Sequence, residues 1–233
     1  MVYKVTFAIA TPIITTTEIH FDSILSAVHP AMHNINAVTR RSKKDEIITA
    51  PLPIDSAKIG RDWVWCCTTG DYGDNATTYT TKMTKRKDGM DYHYLNAKQT
   101  PRTGAGRDRC DTIYGVVCDS ISFFVSVSSD KNRKELERIC RRIKNIGGLR
   151  KEGYGAVKTM YVEETEMSWE NCLVKDGVAE RNLPESFVQE ECSKKIAVTP
   201  PYWLNDNLVR GVEAGERAVL KNEVFLNENR RLA

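Results

Sequence analysis

The sequence lacks the features that define several large classes of protein. No apolar run approaches the roughly 20 residues that a membrane-spanning helix needs. The N-terminus has neither the basic-then-apolar organisation nor the small-residue cleavage site of a secretory signal. Walker, serine-hydrolase and metal-carboxylate patterns are absent as well. We therefore expect a cytoplasmic protein with no membrane association, and the sequence offers no motif for those classes of enzyme.

The seven cysteines have no regular spacing. Cys66 and Cys67 are adjacent and the other five are scattered, and an odd number does not make a disulfide framework. There is no CxxC and no Cys/His cluster with the spacing of a zinc site. We expect neither a structural metal nor a cofactor, and we expect the thiols to lie in the core of a protein in a reducing compartment.

Length and charge are those of an ordinary soluble domain. The chain has 233 residues, of which 41% are hydrophobic and 28% charged. A chain of this length can bury a hydrophobic core without a disulfide or a bound metal to stabilise it. Its 34 basic and 31 acidic residues leave a net charge of only +3. The distribution of charge along the chain is therefore more informative than its sum.

Hydrophobic periodicity predicts an α+β fold. Alternating apolar residues predict strands, and i, i+3, i+4 spacing predicts helices. The predicted strands cover residues 3–9, 61–69, 114–127 and 156–163, and the predicted helices cover 21–28 and 131–145. Asp22 suits the dipole at the start of the first helix, and Asp130 suits an N-cap for the second. The order βαββαβ is that of a ferredoxin-like core, here residues 1–165. We interpret residues 166–233 as an irregular C-terminal extension packed on that core.

A basic segment with interleaved tyrosines lies between the second and third predicted strands, at about 77–112. Between Lys82 and Arg109 it carries eight cations against three aspartates, a local charge of +5. The candidate RNA-binding residues here are Lys82, Lys85, Arg86, Lys87, Tyr92, Tyr94, Lys98, Arg102, Arg107 and Arg109. Asp88-Gly89 favours a hairpin turn, and so many cations would keep the hairpin out of the core. Cations for phosphates and flat rings for unstacked bases suit single-stranded RNA, although a solvated loop is equally consistent with this segment alone.

A glycine-rich loop follows the second predicted helix. Glycines allow a ligand to approach the backbone closely, and consecutive N–H groups can bind an anion. The candidate RNA-binding residues of this loop are Gly147, Gly148, Arg150, Lys151, Gly153, Tyr154 and Gly155. A helix C-cap followed by a tight turn would also explain the glycines.

Three histidines, His20, His29 and His33, flank the first helix. An imidazole there could act as a general base on a ribose hydroxyl. Packing at the helix end explains His29 as well, and no acid–base pair can be named. We assign no catalytic residue.

These features together resemble the RAMP superfamily of CRISPR-associated RNA-binding proteins. Three features support this resemblance: the βαββαβ order, the basic hairpin inserted between strands two and three, and the cationic glycine loop at 147–155. The phrase Thr11-Pro12-Ile13, followed by the sequence IHFDSIL at 19–25, is similar to the family-five-type subunit of type IV CRISPR systems. The resemblance covers residues 1–165.

The resemblance implies a specific role. Subunits of this type grip the 5′ handle of the guide RNA and cap the backbone filament of a ribonucleoprotein effector. Segment 77–112 would be the thumb that folds over the strand, and 147–155 would be the gripping loop. The partners would be guide RNA (crRNA) and other backbone subunits, with target DNA left open.

Two other hypotheses remain open. Some RAMP proteins are metal-independent endoribonucleases that process the guide precursor, and His20, His29 or His33 would then activate a 2′-hydroxyl. The chain could also be an unrelated ferredoxin-like protein whose basic hairpin is only solvated.

Overall fold

The computed structural model describes residues 1–29, 52–85, 109–202 and 207–227. In these ranges the chain is a mixed α+β structure, and its paired strands run antiparallel. The helices are α1 (Phe21–Val28) and α2 (Asp130–Cys140). The strands are β1 (Val2–Ile9), β2 (Ile13–Ile14), β3 (Ser56–Ile59), β4 (Asp62–Trp65), β5 (Thr77–Lys85), β6 (Arg109–Val117), β7 (Ser120–Ser126), β8 (Val157–Thr165), β9 (Val174–Lys175), β10 (Val178–Ala179), β11 (Leu183–Pro184), β12 (Lys195–Ala197), β13 (Leu208–Val212) and β14 (Phe225–Asn227).

The central sheet is built around β1, which pairs with β7 on one side and β8 on the other. The extended residues 66–71 lie along the outer edge of β7. Thr68 donates its N–H to the Phe124 carbonyl at 2.9 Å, and Asp71 and Ser122 exchange two backbone hydrogen bonds of 2.8 and 2.9 Å. The spatial order is therefore residues 66–71, β7, β1 and β8.

Both helices cover the same face of this sheet. Alternate residues of β1 and β7 point to that face because side chains alternate along a strand. There Phe123 stacks on Phe21 of α1, with ring centroids 4.8 Å apart, and Phe7 meets both rings. From α2, Leu136 and Ile139 are fully buried in the same cluster. This helix-covered face is the main hydrophobic core.

Three predicted strands and one predicted helix agree closely with the structure, and two predictions need correction. β1, β8 and α1 lie where the periodicity places them, and the predicted strand at 61–69 is β4 continued by the edge segment. The predicted strand at 114–127 is two strands, because the chain turns at Cys118–Asp119. Its first half, β6, belongs to the hairpin. Only its second half, β7, belongs to the central sheet.

The second helix begins one residue earlier and ends earlier than predicted. Its N-cap is Ser129, whose hydroxyl accepts the Asn132 N–H at 3.2 Å, so Asp130 is the first helical residue and not the cap. The helix ends at Cys140. Arg142 and Ile143 then form tighter turns on the Ile139 and Cys140 carbonyls.

The C-terminal residues build a second hydrophobic cluster together with the N-terminal half. Leu173, Phe187 and Val188 are fully buried there, against Ala57 and Val64 of β3 and β4. Short strands and 3₁₀ turns make up this part of the chain. Because its cluster is shared, the extension is packed on the rest of the molecule.

Five of the seven cysteines are buried, namely Cys66, Cys67, Cys140, Cys172 and Cys192. Burial raises the pKa of the Cys172 thiol to about 12 and raises the pKa of the Cys66 thiol as well. These five thiols lie in the core as predicted, whereas Cys110 is exposed and Cys118 is half-buried. In the described ranges no helix is both long and apolar enough to span a bilayer.

Candidate nucleic-acid interface

The inserted hairpin is a nine-residue antiparallel ladder. Its register runs from Thr77 opposite Val117 to Lys85 opposite Arg109. Among the residues of this ladder whose burial is described, only Gly115 is buried. Lys82 is exposed. The described part of the hairpin is therefore outside the core, as its charge predicts.

The tip of the hairpin lies outside the described residues. Residues 34–51 of the predicted surface loop 34–53 also lie outside the described residues, as do Pro30 and His33. The strand ends at Lys85 and Arg109 are described only in their backbone. The candidate RNA-binding residues outside the described ranges are Arg86, Lys87, Tyr92, Tyr94, Lys98, Arg102 and Arg107.

The glycine loop is held by a dense set of backbone contacts. Gly148 donates its N–H to the Ile14 carbonyl at 2.7 Å, and Gly155 donates to the Pro12 carbonyl at 2.8 Å. The Thr11 hydroxyl donates to the Gly153 carbonyl at 2.8 Å. These two glycine N–H groups are therefore engaged within the protein and are not free to bind a phosphate, contrary to the expectation of an anion-binding backbone at those positions.

The glycines are needed for close packing of the loop. Gly147 has φ +89°, and a Cβ there would lie 2.6 Å from the Ile14 carbonyl oxygen. Gly155 has φ +61°, and its Cβ would collide with the Ile146 carbonyl. Between them, Arg150 and Lys151 begin a 3₁₀ turn with both side chains exposed. The groups of this loop that can contact a phosphate are therefore the side chains of Arg150 and Lys151.

The segment Ile13–Ile14 brings the two predicted RNA-binding stretches together. On one side it pairs with β6, with Ile13 opposite Val116 and Ile14 opposite Gly115. On the other side Ile14 bridges to Gly148 of the loop. The base of the hairpin and the glycine loop are therefore neighbours across a single two-residue strand.

An aromatic contact joins the same two stretches. The rings of Tyr79 and Tyr154 lie 6.2 Å apart between centroids, tilted by 53°. A side-chain hydrogen bond between Tyr154 and Tyr79 raises the pKa of the Tyr154 hydroxyl. Tyr79 was not a sequence candidate, although its place at the base of a basic hairpin with other tyrosines was the available signal.

A cavity of about 500 Å³ opens between these elements. Five isoleucines line it, at positions 14, 19, 24, 113 and 146, together with eleven polar residues. Among the polar residues are Glu18, His20, Arg150 and Tyr202. The hairpin base, the glycine loop, α1 and the C-terminal extension all contribute to this cavity.

Of the two candidate histidines that the structure describes, His20 lines this cavity. His29 is half-buried at the C-cap of α1, outside the lining. The His20 side chain is 7% exposed. Burial lowers the pKa of His20 to about 4; Asp22 opposes this shift and Arg181 adds to it. At neutral pH the imidazole is therefore uncharged.

A buried ion pair fixes the wall beside His20. Arg181 is fully buried and donates to Asp22 Oδ2 at 3.1 Å, to the Tyr202 hydroxyl at 2.9 Å and to the Val198 carbonyl at 2.8 Å. The Tyr202 hydroxyl in turn donates to Asp22 at 3.0 Å, and its ring stacks on His20 at 4.0 Å. Burial works to lower the pKa of Arg181, but Tyr202, Asp22 and Cys67 outweigh it and the pKa is raised.

Asp22 lies in the first turn of α1, as predicted. Its carboxylate is also completely buried as the partner of Arg181, which the sequence did not indicate. Arg181 and Tyr202 were missed by sequence reasoning, since both lie in the extension and neither belongs to a recognisable motif. No group of three or more metal-ligating side chains occurs among the residues that the structure describes.

Comparison with known proteins adds no identification. No family model matches the chain, and a search of curated proteins finds no match. Function has to be inferred from the residues and geometry of the site.

Proposed function

We propose that this chain is a non-catalytic RNA-binding subunit of a CRISPR ribonucleoprotein effector. In this proposal it grips the 5′ handle of the guide RNA, caps the backbone filament and works in the cytoplasm. Its partners are the guide RNA and other backbone subunits, and target DNA is a further candidate.

The observation that carries the proposal is the meeting of hairpin and glycine loop across Ile13–Ile14. Two stretches that are not adjacent in sequence lie side by side, with Lys82, Arg150 and Lys151 exposed. A single-stranded backbone needs cations along one groove and rings or apolar surface beside them. The cavity between the two stretches supplies the second of these.

The ferredoxin-like interpretation of the core is part of the same proposal. Its support is the spatial order of the four predicted strands, which is second, third, first and fourth, with both helices on one face. A hairpin inserted after the second strand and a glycine loop before the fourth would then occupy the thumb and gripping positions that the resemblance implies.

The direct test is recovery of RNA from the protein. We expect the chain, purified with its neighbouring effector subunits, to carry a short RNA of defined 5′ sequence that can be extracted and sequenced. Binding of that RNA should weaken steeply with salt because the contacts are largely to phosphates. If no RNA accompanies the purified particle, the proposal is wrong.

A charge-reversal pair locates the contact. Changing Arg150 and Lys151 to Glu should greatly reduce RNA retention, because both are exposed cations of the glycine loop and Arg150 lines the cavity. The matched control changes Arg210 and Arg217 to Glu, two exposed arginines of the C-terminal extension. Equal loss in both variants would indicate nonspecific attraction by net charge.

One observation favours a second candidate, a metal-independent endoribonuclease. His20 lies in the cavity wall, where an imidazole could meet a ribose hydroxyl. Its pKa of about 4 makes it a weak base at neutral pH, which ranks this candidate lower. Repeat RNA that stays intact with the protein in EDTA would exclude it.

A further inference from the structure

The outer edge of β8 is an open edge of the central sheet. One side of β8 pairs with β1, and no strand in the part of the chain that the structure describes pairs with the other side. Among those residues the outer edge is closed only at its start, where the Val157 N–H donates to the Lys144 carbonyl at 2.9 Å. Unpaired N–H and C=O groups along a sheet edge are a template for another strand.

The charges of β8 do not protect this edge against a second copy of the same strand. The nine residues of β8 include no proline or glycine. A bulge near the start interrupts the pairing with β1, and residues 159–165 are regular beyond it. Exposed Lys158 lies at the start of the strand, and exposed Glu163 and Glu164 lie near its end. An antiparallel copy therefore brings opposite charges together, whereas an edge charged with one sign would repel itself.

Two copies of β8 match each other in one antiparallel register. A symmetric pair has its two-fold axis perpendicular to the sheet, so facing residues come from the same face of the sheet. With Tyr161 on the axis, Lys158 of each copy faces Glu164 of the other, and Met160 faces Val162. The two Tyr161 side chains, each 56% exposed in the single chain, then cover one another.

Neighbouring registers lose this match. With the axis at Met160, the Glu164 carboxylate would face Ala156, and with the axis at Val162 it would face Met160. Neither position offers a cation to the carboxylate. The charge pattern of the strand thus favours the register centred on Tyr161.

A groove beside the open edge has room for side chains of the second copy. It has a volume of about 610 Å³ and lies between β8 and α2 with the residues that follow α2. Its three cations are Arg141, Lys144 and Lys158. Arg141 lies 3.8 Å from Glu137, whereas Lys144 and Lys158 form no ion pair with the residues that the structure describes. The acidic end of a second β8 would supply carboxylates for these two lysines.

We propose that two copies of this chain pair through the outer edges of their β8 strands, antiparallel, with the two-fold axis at Tyr161. The two central sheets become one continuous sheet, and α1 and α2 of both copies lie on the same face of it. The contact consists of one strand and its groove, so the dimer is reversible and depends on protein concentration. This pairing needs no RNA and does not rest on the proposed function.

The test is sedimentation velocity of the full chain, freed of nucleic acid, over a range of concentrations. We expect the wild type to shift from monomer to dimer as the concentration rises. Lys158→Glu or Glu164→Lys alone should raise the dissociation constant of the dimer by about tenfold, because each dimer contains the facing pair twice and both pairs become repulsive. The double variant exchanges the two charges and should restore dimerisation.

A matched control separates this contact from a general effect of charge. Lys195→Glu changes an exposed lysine of β12, outside the groove, and should leave the dissociation constant unchanged. The melting temperature of each variant, measured at a concentration where the wild type is monomeric, should equal that of the wild type. Equal melting temperatures show that the substitutions act on the dimer and not on the fold.

Cysteine cross-linking locates the axis. In a chain whose exposed Cys110 is changed to Ser, Tyr161→Cys should form a disulfide-linked dimer under mild oxidation, because the two introduced thiols face each other across the axis. Thr159→Cys is the control, since residue 159 faces residue 163 of the other copy and its two thiols lie too far apart. Equal cross-linking of the two variants would overturn the proposed register.

Three further results would overturn the inference. The chain could stay monomeric at every concentration, which would leave the edge to a strand of another protein. A dimer could form that neither single charge reversal weakens, or one that the double variant does not restore. Loss of RNA binding with dimerisation intact would instead count against the proposed function alone.

Discussion

Arg181 and Arg150 show two opposite uses of the same side chain in one molecule. Arg181 is fully buried, paired with Asp22 and bonded to several carbonyl groups and the Tyr202 hydroxyl. Arg150 is exposed on a 3₁₀ turn and forms no ion pair with the residues that the structure describes. The first connects the C-terminal extension to α1, and the second leaves its charge available to a ligand.

The charge of an arginine therefore does not by itself identify it as a binding residue. Both arginines border the same region of the molecule, since Arg181 fixes the Tyr202 wall of the cavity that Arg150 lines. A guanidinium surrounded by acceptors contributes to folding, whereas one with free donors contributes to recognition.

Replacing Arg181 by Met should cause the largest loss of stability. The change leaves the Asp22 carboxylate buried without its cation, which typically costs about 3–5 kcal/mol. Urea unfolding of the variant measures this loss in the free energy of unfolding. The double variant with Asp22→Asn removes both charges and should recover part of the stability. A loss under about 1 kcal/mol would show that the pair is unimportant for folding.

Lowering the pH should weaken the fold through His20. In the folded state its pKa is about 4, against 6.5 in the unfolded chain. The unfolded state therefore takes up a proton as the pH falls below 6.5, while the folded state does not. Stability attributable to His20 is complete above pH 6.5 and falls by about 3 kcal/mol toward pH 4.

The measurement is the urea midpoint at several pH values for wild type and His20→Phe. The difference between the two proteins should grow as the pH falls from 6.5 to 4 and level off below that. Parallel pH curves for the two proteins would contradict the assignment.

Gly155→Ala should destabilise the glycine loop more than Gly153→Ala does. Both glycines have positive φ, at +61° and +87°. Only at Gly155 would the added Cβ meet backbone, namely the Ile146 carbonyl, while at Gly153 nothing lies within 4 Å. We expect about 1–3 kcal/mol for Gly155→Ala and less for Gly153→Ala, measured by thermal unfolding. Equal losses would show that φ alone determines the cost.

Arg150→Gln should change stability least, by no more than about 0.5 kcal/mol, since the side chain is exposed. Its effect should appear in RNA binding, where the slope of log affinity against log salt falls by about 1 when one phosphate contact is lost. Arg210→Gln is the matched control and should leave that slope unchanged. If Arg150→Gln unfolds the protein, the division between the two arginines is wrong.

Local patterns predicted the central elements well. The alternation in β1 and the i, i+3, i+4 spacing in α1 locate both within a residue, because each records a buried face in the order of side chains. The same logic failed for residues 114–127, which contain two alternating strands. The turn at Cys118–Asp119 carries no glycine or proline, and the pair Asp119-Ser120 is the weaker turn signal that marks the break between β6 and β7.

The candidate site was predicted only in part. Its cationic loop and basic hairpin were visible as composition, and the structure brings Gly148 and the base of the hairpin to the same strand. The hairpin tip lies outside the described residues, so its cations stay a prediction. The aromatic and buried members, Tyr79 and Tyr202, have no distinguishing sequence neighbours and were not found.

The sequence alone predicted the helices and strands, their order and the segments where charge is concentrated. It could do so because periodicity and composition are local properties of a chain. Which of those charges face solvent was decided only in three dimensions. Asp22 lies 159 residues from Arg181, and no local pattern can report a pairing at such a distance. Only the packing of the C-terminal extension against α1 turns that aspartate into the buried partner of Arg181.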